Sequence, residues 1–272
     1  MNSGLYKIEG AGNDFILGVG TWARRLVGEP DLVQRLCDRR RGIGADGTLA
    51  LEALGRDRVR LTYRNADGSV GAFCANGTRC AARAAVEFLG ADSRLAVETG
   101  WAEIPAEVDG SRVSLEIPAP ETSPRYPEIT APKGATALCL MKIGVPHLVV
   151  ETEGLADLDL GLIAPPLRHH AALGCEGANV DFYAVAADGT LQVRTWERGV
   201  EGETLSCGSG MVAVALVVMA GNGTREAELI PISGDRLTVE ALGEPPVCAT
   251  RLAGPTRLVA KLEPLEDLLH GL

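Results

Sequence analysis

Two stretches decide the architecture: CANGTRCAARAAVEFLG at 74–90 and CGSGMVAVALVVMAGN at 207–222. Each opens on a cysteine, passes through small residues and runs into a largely apolar segment that stops at Gly or Gly-Asn. That length and stop signal predict a helix in each case. The second segment is rich in β-branched residues (Val212, Val214, Val217, Val218), yet its near-continuous apolarity predicts a helix buried on all sides. A second pair of segments also echoes: Glu9-Gly10-Ala11-Gly12-Asn13-Asp14-Phe15 and Glu176-Gly177-Ala178-Asn179-Val180-Asp181-Phe182. Between the two halves lies PAPETSPRYPEITAP at 118–132, with five of the fifteen prolines. Proline blocks helix interiors and central strands, so this stretch reads as a linker.

Working outward, short β-rich stretches surround both helices: 59–69, 111–118, 147–154, 179–199, 235–244 and 256–264. Asp67-Gly68, Asp109-Gly110 and Asp188-Gly189 are hairpin-type turn signals. Strands seldom alternate with long helical patterns, which favours antiparallel α+β over a doubly wound parallel sheet. The expected fold is α+β with two pseudo-symmetric lobes, each a β-sheet wrapped around one central helix. The lobes divide near residue 118, the second being 119–253.

Composition narrows the function. The 272-residue chain is 46% hydrophobic and 23% charged, so either half can bury a core. A net charge of −10 argues against nucleic acid as a partner, because phosphate-backbone affinity needs clustered Lys and Arg. The first residues carry neither a basic segment with an apolar core nor a cleavage site. The longest apolar run, Met211–Ala220, is about half the length needed to cross a bilayer, so no membrane partner is expected. Seven scattered cysteines without a C-x-x-C pair suggest neither a disulfide framework nor a metal site. Free thiols in a cytoplasmic protein are the expectation.

A cysteine before a small-residue loop that opens a helix is placed for chemistry. The helix N-terminus carries partial positive charge and N–H groups lacking intrahelical acceptors, which favour a thiolate and can bind a carboxylate. There a thiol can fall below its free pKa of about 8.5. The small residues Ala75, Gly77, Gly208, Ser209 and Gly210 let a substrate come close to the backbone. Two such cysteines suit inversion of an α-stereocentre: Cys74 or Cys207 takes the proton as thiolate, and the other returns one to the opposite face as thiol. This chemistry needs no cofactor, and no flavin, nicotinamide or pyridoxal motif is visible. The remaining cysteines (Cys37, Cys80, Cys139, Cys175, Cys248) read as small buried hydrophobes.

At these segments the sequence resembles the diaminopimelate epimerase family. The resemblance rests on GNDF at 12–15, GIGADG at 42–47, NADGS at 65–69, CANGTRC at 74–80, PHLV at 146–149, ANVDF at 178–182, WERGVEGET at 196–204, SCGSG at 206–210 and GP at 254–255. It implies two barrel-like antiparallel lobes, with 254–272 returning to the first, and a homodimer acting on a small amino-acid substrate in lysine and peptidoglycan synthesis. It assigns Cys74 and Cys207 as the catalytic pair, with His147 and Glu197 assisting. Ala75, Asn76, Gly77, Gly208 and Ser209 would hold the α-carboxylate. Asn13, Asn65, Asn179 and Arg198 would read the distal end of the substrate, Arg198 being suited to a bidentate carboxylate contact. Three positions depart from the family's habit: Val145 stands for a usual Asn, Ala75 for Gly and Glu9 for His. Val145 leaves open a racemase for another amino acid. A related isomerase of an unsaturated acid and a binding protein that has lost turnover are the other readings.

Overall fold

The computed structural model describes residues 3–270. The chain forms two compact units: one runs to Leu115 and takes in the chain from Gly254 onward, and the other covers Glu116–Ala253. In the first unit, strands Gly4–Gly10 and Asn13–Val19 form a tight hairpin whose two turn residues, Ala11 and Gly12, both have positive φ (54° and 85°). That handedness matches the twist of the flanking strands. Strand Gly47–Ala53 lies parallel to Asn13–Val19 and pairs antiparallel with Arg58–Asn65. Arg58–Asn65 in turn lies parallel to Arg94–Glu98, which leads through Glu103–Asp109 to Arg112–Ile117 as a meander.

The second unit repeats this order. Ala135–Ile143 and Val145–Thr152 form the hairpin, and Asn179–Val185 lies parallel to its second strand. Leu191–Glu197 pairs antiparallel with Asn179–Val185 and parallel with Glu226–Pro231, and a meander follows through Leu237–Ala241 and Thr250–Pro255. The α+β class is the one read from the sequence. Each sheet nevertheless contains two parallel pairings, because two of its connections are long crossovers, which parallel neighbours require.

In each unit the second crossover holds the central helix, and the first holds helices that the sequence reading lacked. Thr21–Gly28 and Pro30–Cys37 fill it in the first unit, with Pro30 at the start of its helix, and Leu160–Arg168 fills it in the second. The last contains Pro165 and Pro166, which disguise it as loop. The proline-rich stretch is also more than a linker. Thr122–Arg125 within it pairs with Ala135–Ile143, a sheet-edge role that proline tolerates.

The echo between residues 9–15 and 176–182 is not the structural repeat. Pairing order sets Asn13–Val19 against Val145–Thr152, and Gly47–Ala53 against Asn179–Val185. The two segments look alike because they meet the same local demand. Each has a glycine at positive φ (Gly12, Gly177) that delivers an Asn to the start of a strand with a buried Phe (Phe15, Phe182).

The two central helices are Ala75–Ala84, extended by one wide turn over Ala85–Leu89, and Gly208–Asn222. Every residue of Ala75–Ala84 except Arg83 is buried, as is all of Gly208–Leu216. Small residues permit this close wrapping: a Cβ on Gly77 would come within 3.0 Å of a Leu49 methyl. Left-handed glycines, Gly90 (φ 68°) and Gly223 (φ 75°), end both helices.

Gly177 offers a test of this packing. Its φ is 63°, and an added Cβ would lie 2.1 Å from the Arg168 carbonyl oxygen and 2.3 Å from Nη1 of the buried Arg168. Gly177→Ala is expected to cost about 2–4 kcal/mol from strain plus overpacking, read as a lower urea midpoint.

Candidate active-site residues in the two units

In the first unit Cys74 is the N-cap of its helix (φ −143°, ψ 110°), and its Sγ accepts a hydrogen bond from Gly77 N at 3.4 Å. The thiol therefore sits in the partial positive charge of the first turn. Its Sγ–H is directed to Asn13 Oδ1 at 3.5 Å. Asn13 in turn donates from Nδ2 to Asp46 Oδ2 at 2.6 Å. Asp46 belongs to the GIGADG loop and is clamped to the hairpin: Asp14 N donates to Asp46, Asp46 N donates to Asp14, and Arg39 donates to both carboxylates. Lys7 completes the network on Asp14. Burial alone would raise the Asp14 carboxyl, but hydrogen bonds and charge from Arg39 and Lys7 outweigh it and hold it below the ordinary range.

The sign of the linkage follows. A depressed folded-state pKa contributes stability that is present above the unfolded value of about 4 and lost as pH falls through the folded one. Asp14→Asn is expected to flatten the acid limb of the stability profile below about pH 4, measured by thermal melts across pH.

The other first-unit candidates are held as follows. Asn76 is buried, its Oδ1 accepting from Nη2 of the fully buried Arg79 at 2.7 Å. Asn65 closes its strand opposite Gly47, accepts from Tyr63 Oη and donates to Ser69 Oγ, so it also shapes the NADGS turn. Glu9 accepts from Gly12 N and pairs with Arg257, tying the hairpin turn to the returning C-terminal strand Arg257–Leu262. Its carboxylate has a structural task.

In the second unit Cys207 occupies the matching N-cap, before Gly208–Asn222. Beside it the structure builds a chain of buried polar groups. Cys207 Sγ lies 3.6 Å from Ser209 Oγ, Ser209 Oγ lies 3.0 Å from His147 Nε2, and His147 Nδ1 lies 2.7 Å from Asp181 Oδ2. Thr195 Oγ1 donates to the other Asp181 oxygen at 2.8 Å. His147 and Asp181 are wholly inaccessible. Gly210 makes room for this arrangement, since a Cβ there would stand 2.2 Å from Asp181 Oδ1. A ring nitrogen of His147, an Asp181 oxygen and Cys207 Sγ all lie within 4.8 Å of one another, a grouping that follows from these hydrogen bonds. The Nδ1···Oδ2 distance is that of a hydrogen bond.

Asn179 donates from Nδ2 toward Cys207 Sγ at 3.9 Å and accepts from Arg198 N at 2.8 Å. Arg198 extends its guanidinium to the exposed Glu176 at 3.0 Å. Glu197 accepts from Thr204 Oγ1 at 2.6 Å. Val145 follows the Gly144 turn and opens its strand where Asn13 opens the equivalent strand of the first unit.

Sequence reasoning expects a lowered thiol pKa at a helix N-terminus, and for Cys207 the structure reverses this. Burial pushes the thiol well up, and the carboxylates of Glu197 and Asp181 add to it; the bonds from Ser209 and Gly210 N only partly offset them. Among the other thiols, burial raises Cys37 to about 12 and Cys139 to about 11, and Cys80 is raised as well. Cys175 departs from the buried reading: it is exposed, in the turn-rich segment before Asn179. Brief alkylation of the native protein at pH 8 is expected to label Cys175 at least tenfold faster than Cys37, Cys80 or Cys139, read by peptide mass spectrometry.

The sequence reading singled out neither Asp181 nor Asp46. Asp181 was nevertheless accessible by alternation, since Asn179 and Asp181 are two apart on one strand and share a face.

Residues 5–117 and 139–254 match the diaminopimelate epimerase family. The chain belongs to that family. Among curated relatives, the diaminopimelate epimerase of Archaeoglobus fulgidus is 39% identical over 236 residues, covering 80% of this chain and 81% of that one. That of Gemmatimonas aurantiaca is 36% identical over 215 residues, covering 78% of each. Solved structures share the fold at low identity. A PhzF-family phenazine biosynthesis protein from Bacillus anthracis superposes with a TM-score of 0.74 at 13% identity, covering 97% of this chain and 100% of that one. A hydroxyproline epimerase from Agrobacterium vitis gives 0.69 at 15%, covering 96% and 90%. Within the diaminopimelate epimerase family, then, this chain carries a cysteine at the mouth of each central helix and a buried histidine–aspartate pair behind the second.

Proposed function

We propose that this chain interconverts LL- and meso-diaminopimelate without a cofactor, Cys74 and Cys207 acting as the acid–base pair on opposite faces of the α-carbon. The observation that carries the reading is the N-cap cysteine at each of two topologically equivalent helices. One thiolate removes the α-proton while the other thiol protonates the far face; roles exchange for the reverse reaction. First-turn N–H groups around Gly77, Gly208 and Ser209 hold the α-carboxylate and stabilise the charge that develops when the proton leaves. Asn13, Asn65, Asn179 and Arg198 serve the distal end of the substrate, and Glu197 the amino group.

Curated relatives that are diaminopimelate epimerases support this substrate over another amino acid. Family resemblance also supports a cytoplasmic homodimer, which sedimentation checks. Among the described residues no helix is long and apolar enough to cross a membrane. The substrate test is incubation of the purified protein with LL-diaminopimelate and, separately, with other L-amino acids, followed by chiral chromatography. Conversion confined to diaminopimelate is the expected result; conversion of another amino acid alone overturns the assignment.

A further inference from the structure

Cys207 poses a problem for any reaction in which it must act as a base. It is buried and faces carboxylates: Glu197 from strand Leu191–Glu197 and Asp181 from strand Asn179–Val185. Ser209 Oγ stands between it and His147, from Val145–Thr152, whose ring can take a proton. We infer that Ser209, His147 and Asp181 form a proton relay that charges and discharges Cys207, with Asp181 as its positioning residue.

Asp181 accepts from His147 Nδ1–H, which leaves Nε2 of the neutral ring as an acceptor. Ser209 Oγ–H then donates to Nε2, and the Cys207 thiol donates to Ser209 Oγ. Transfer of two protons along this chain, Sγ–H to Oγ and Oγ–H to Nε2, converts thiol and imidazole into thiolate and imidazolium. No proton is gained or lost. The Ser209 hydroxyl ends with its hydrogen turned toward the thiolate, and Nε2–H donates to Oγ. Nδ1–H remains on Asp181, whose carboxylate balances the imidazolium. When Cys207 later holds the substrate's α-proton, the reverse passage restores the resting state. Thr195 and the absent side chain of Gly210 fix the carboxylate in place. This deepens the two-cysteine reading and rests on it only for the direction of catalysis; the charge state of Cys207 is measurable without substrate.

The sign of one substitution separates the relay from simple charge repulsion. Removing the Asp181 charge by Asp181→Asn would, by repulsion alone, make Cys207 easier to ionise. In the relay it removes the partner of the imidazolium and makes ionisation harder. The experiment is the pH dependence of Cys207 alkylation by iodoacetamide in the full-length protein, read at the Cys207 peptide by mass spectrometry, with thermal melts confirming folding. At pH 8 the rate is expected to fall at least fivefold in Asp181→Asn and in Ser209→Ala, and to stay within twofold of wild type in Ser209→Thr, which keeps the hydroxyl. An unchanged or faster rate in Asp181→Asn, or an unchanged rate in Ser209→Ala, overturns the relay. Failure of wild-type protein to epimerise diaminopimelate would strike the substrate assignment and leave these rates as they are.

Discussion

Replacing Cys74 or Cys207 by alanine lowers epimerisation by about 10³-fold or more, with the protein still folded. Each thiol supplies a proton transfer that the side chain hydrogen-bonded to it cannot replace. Asn13, which stands against Cys74, is a carboxamide and does not titrate; Ser209, beside Cys207, has a hydroxyl far too weak in acid to stand in for a thiol. The structural costs differ and are small. Cys74→Ala removes the sulfur that caps Gly77 N, about 1 kcal/mol for a lost cap. The Gly210 N contact on Cys207 is weaker than the formed cap at Cys74, so Cys207→Ala costs mainly the packing of one buried sulfur. Circular dichroism with stopped-time chiral chromatography checks both halves of the expectation. A two-base enzyme carries a further signature: each alanine variant exchanges the α-proton of at most one stereoisomer and inverts neither. Substantial inversion in either variant contradicts the mechanism.

Gly210→Ala is a large structural perturbation for a single methyl group. Its Cβ would stand 2.2 Å from Oδ1 and 2.9 Å from Cγ of Asp181. The helix cannot move aside, because its residues from Gly208 to Leu216 are all buried. Asp181 must therefore turn, losing Thr195 and His147 together, and a buried carboxylate without its partners costs about 3–5 kcal/mol. Activity falls with it, since His147 loses the acceptor that fixes its ring. Gly221→Ala, near the other end of the same helix, meets nothing within 4 Å and has no positive φ. That substitution is expected to stabilise by about 0.5–1 kcal/mol. Urea unfolding of the pair gives opposite signs if this account of Gly210 is correct, and similar small shifts if it is wrong.

Much of this was legible in the chain itself. A cysteine, a small-residue loop and an Ala- or Val-rich run written twice identified both central helices, because burial on all sides demands small or uniformly apolar residues. Spacing alone hid the crossovers. Leu160–Arg168 carries two prolines, and the two short helices before Gly47 depend on packing over the first sheet rather than on any long periodic run. The repeat was legible at the cysteines and misleading at the asparagines, where a shared turn-and-strand requirement produced similar words at non-equivalent places. In the site, residue types pointed to Cys207, but the direction of its ionisation did not follow from the helix terminus. Burial and two carboxylates from the paired strands Asn179–Val185 and Leu191–Glu197 decide it, and those come together only when the second unit folds.

The most direct test of the two-cysteine claim is the fate of the α-hydrogen during the first few per cent of turnover of LL-diaminopimelate in deuterated water. The account predicts meso product carrying one solvent deuterium at the inverted carbon while the remaining LL substrate stays unlabelled. Product that retains the original hydrogen, or substrate that exchanges before it inverts, would contradict it.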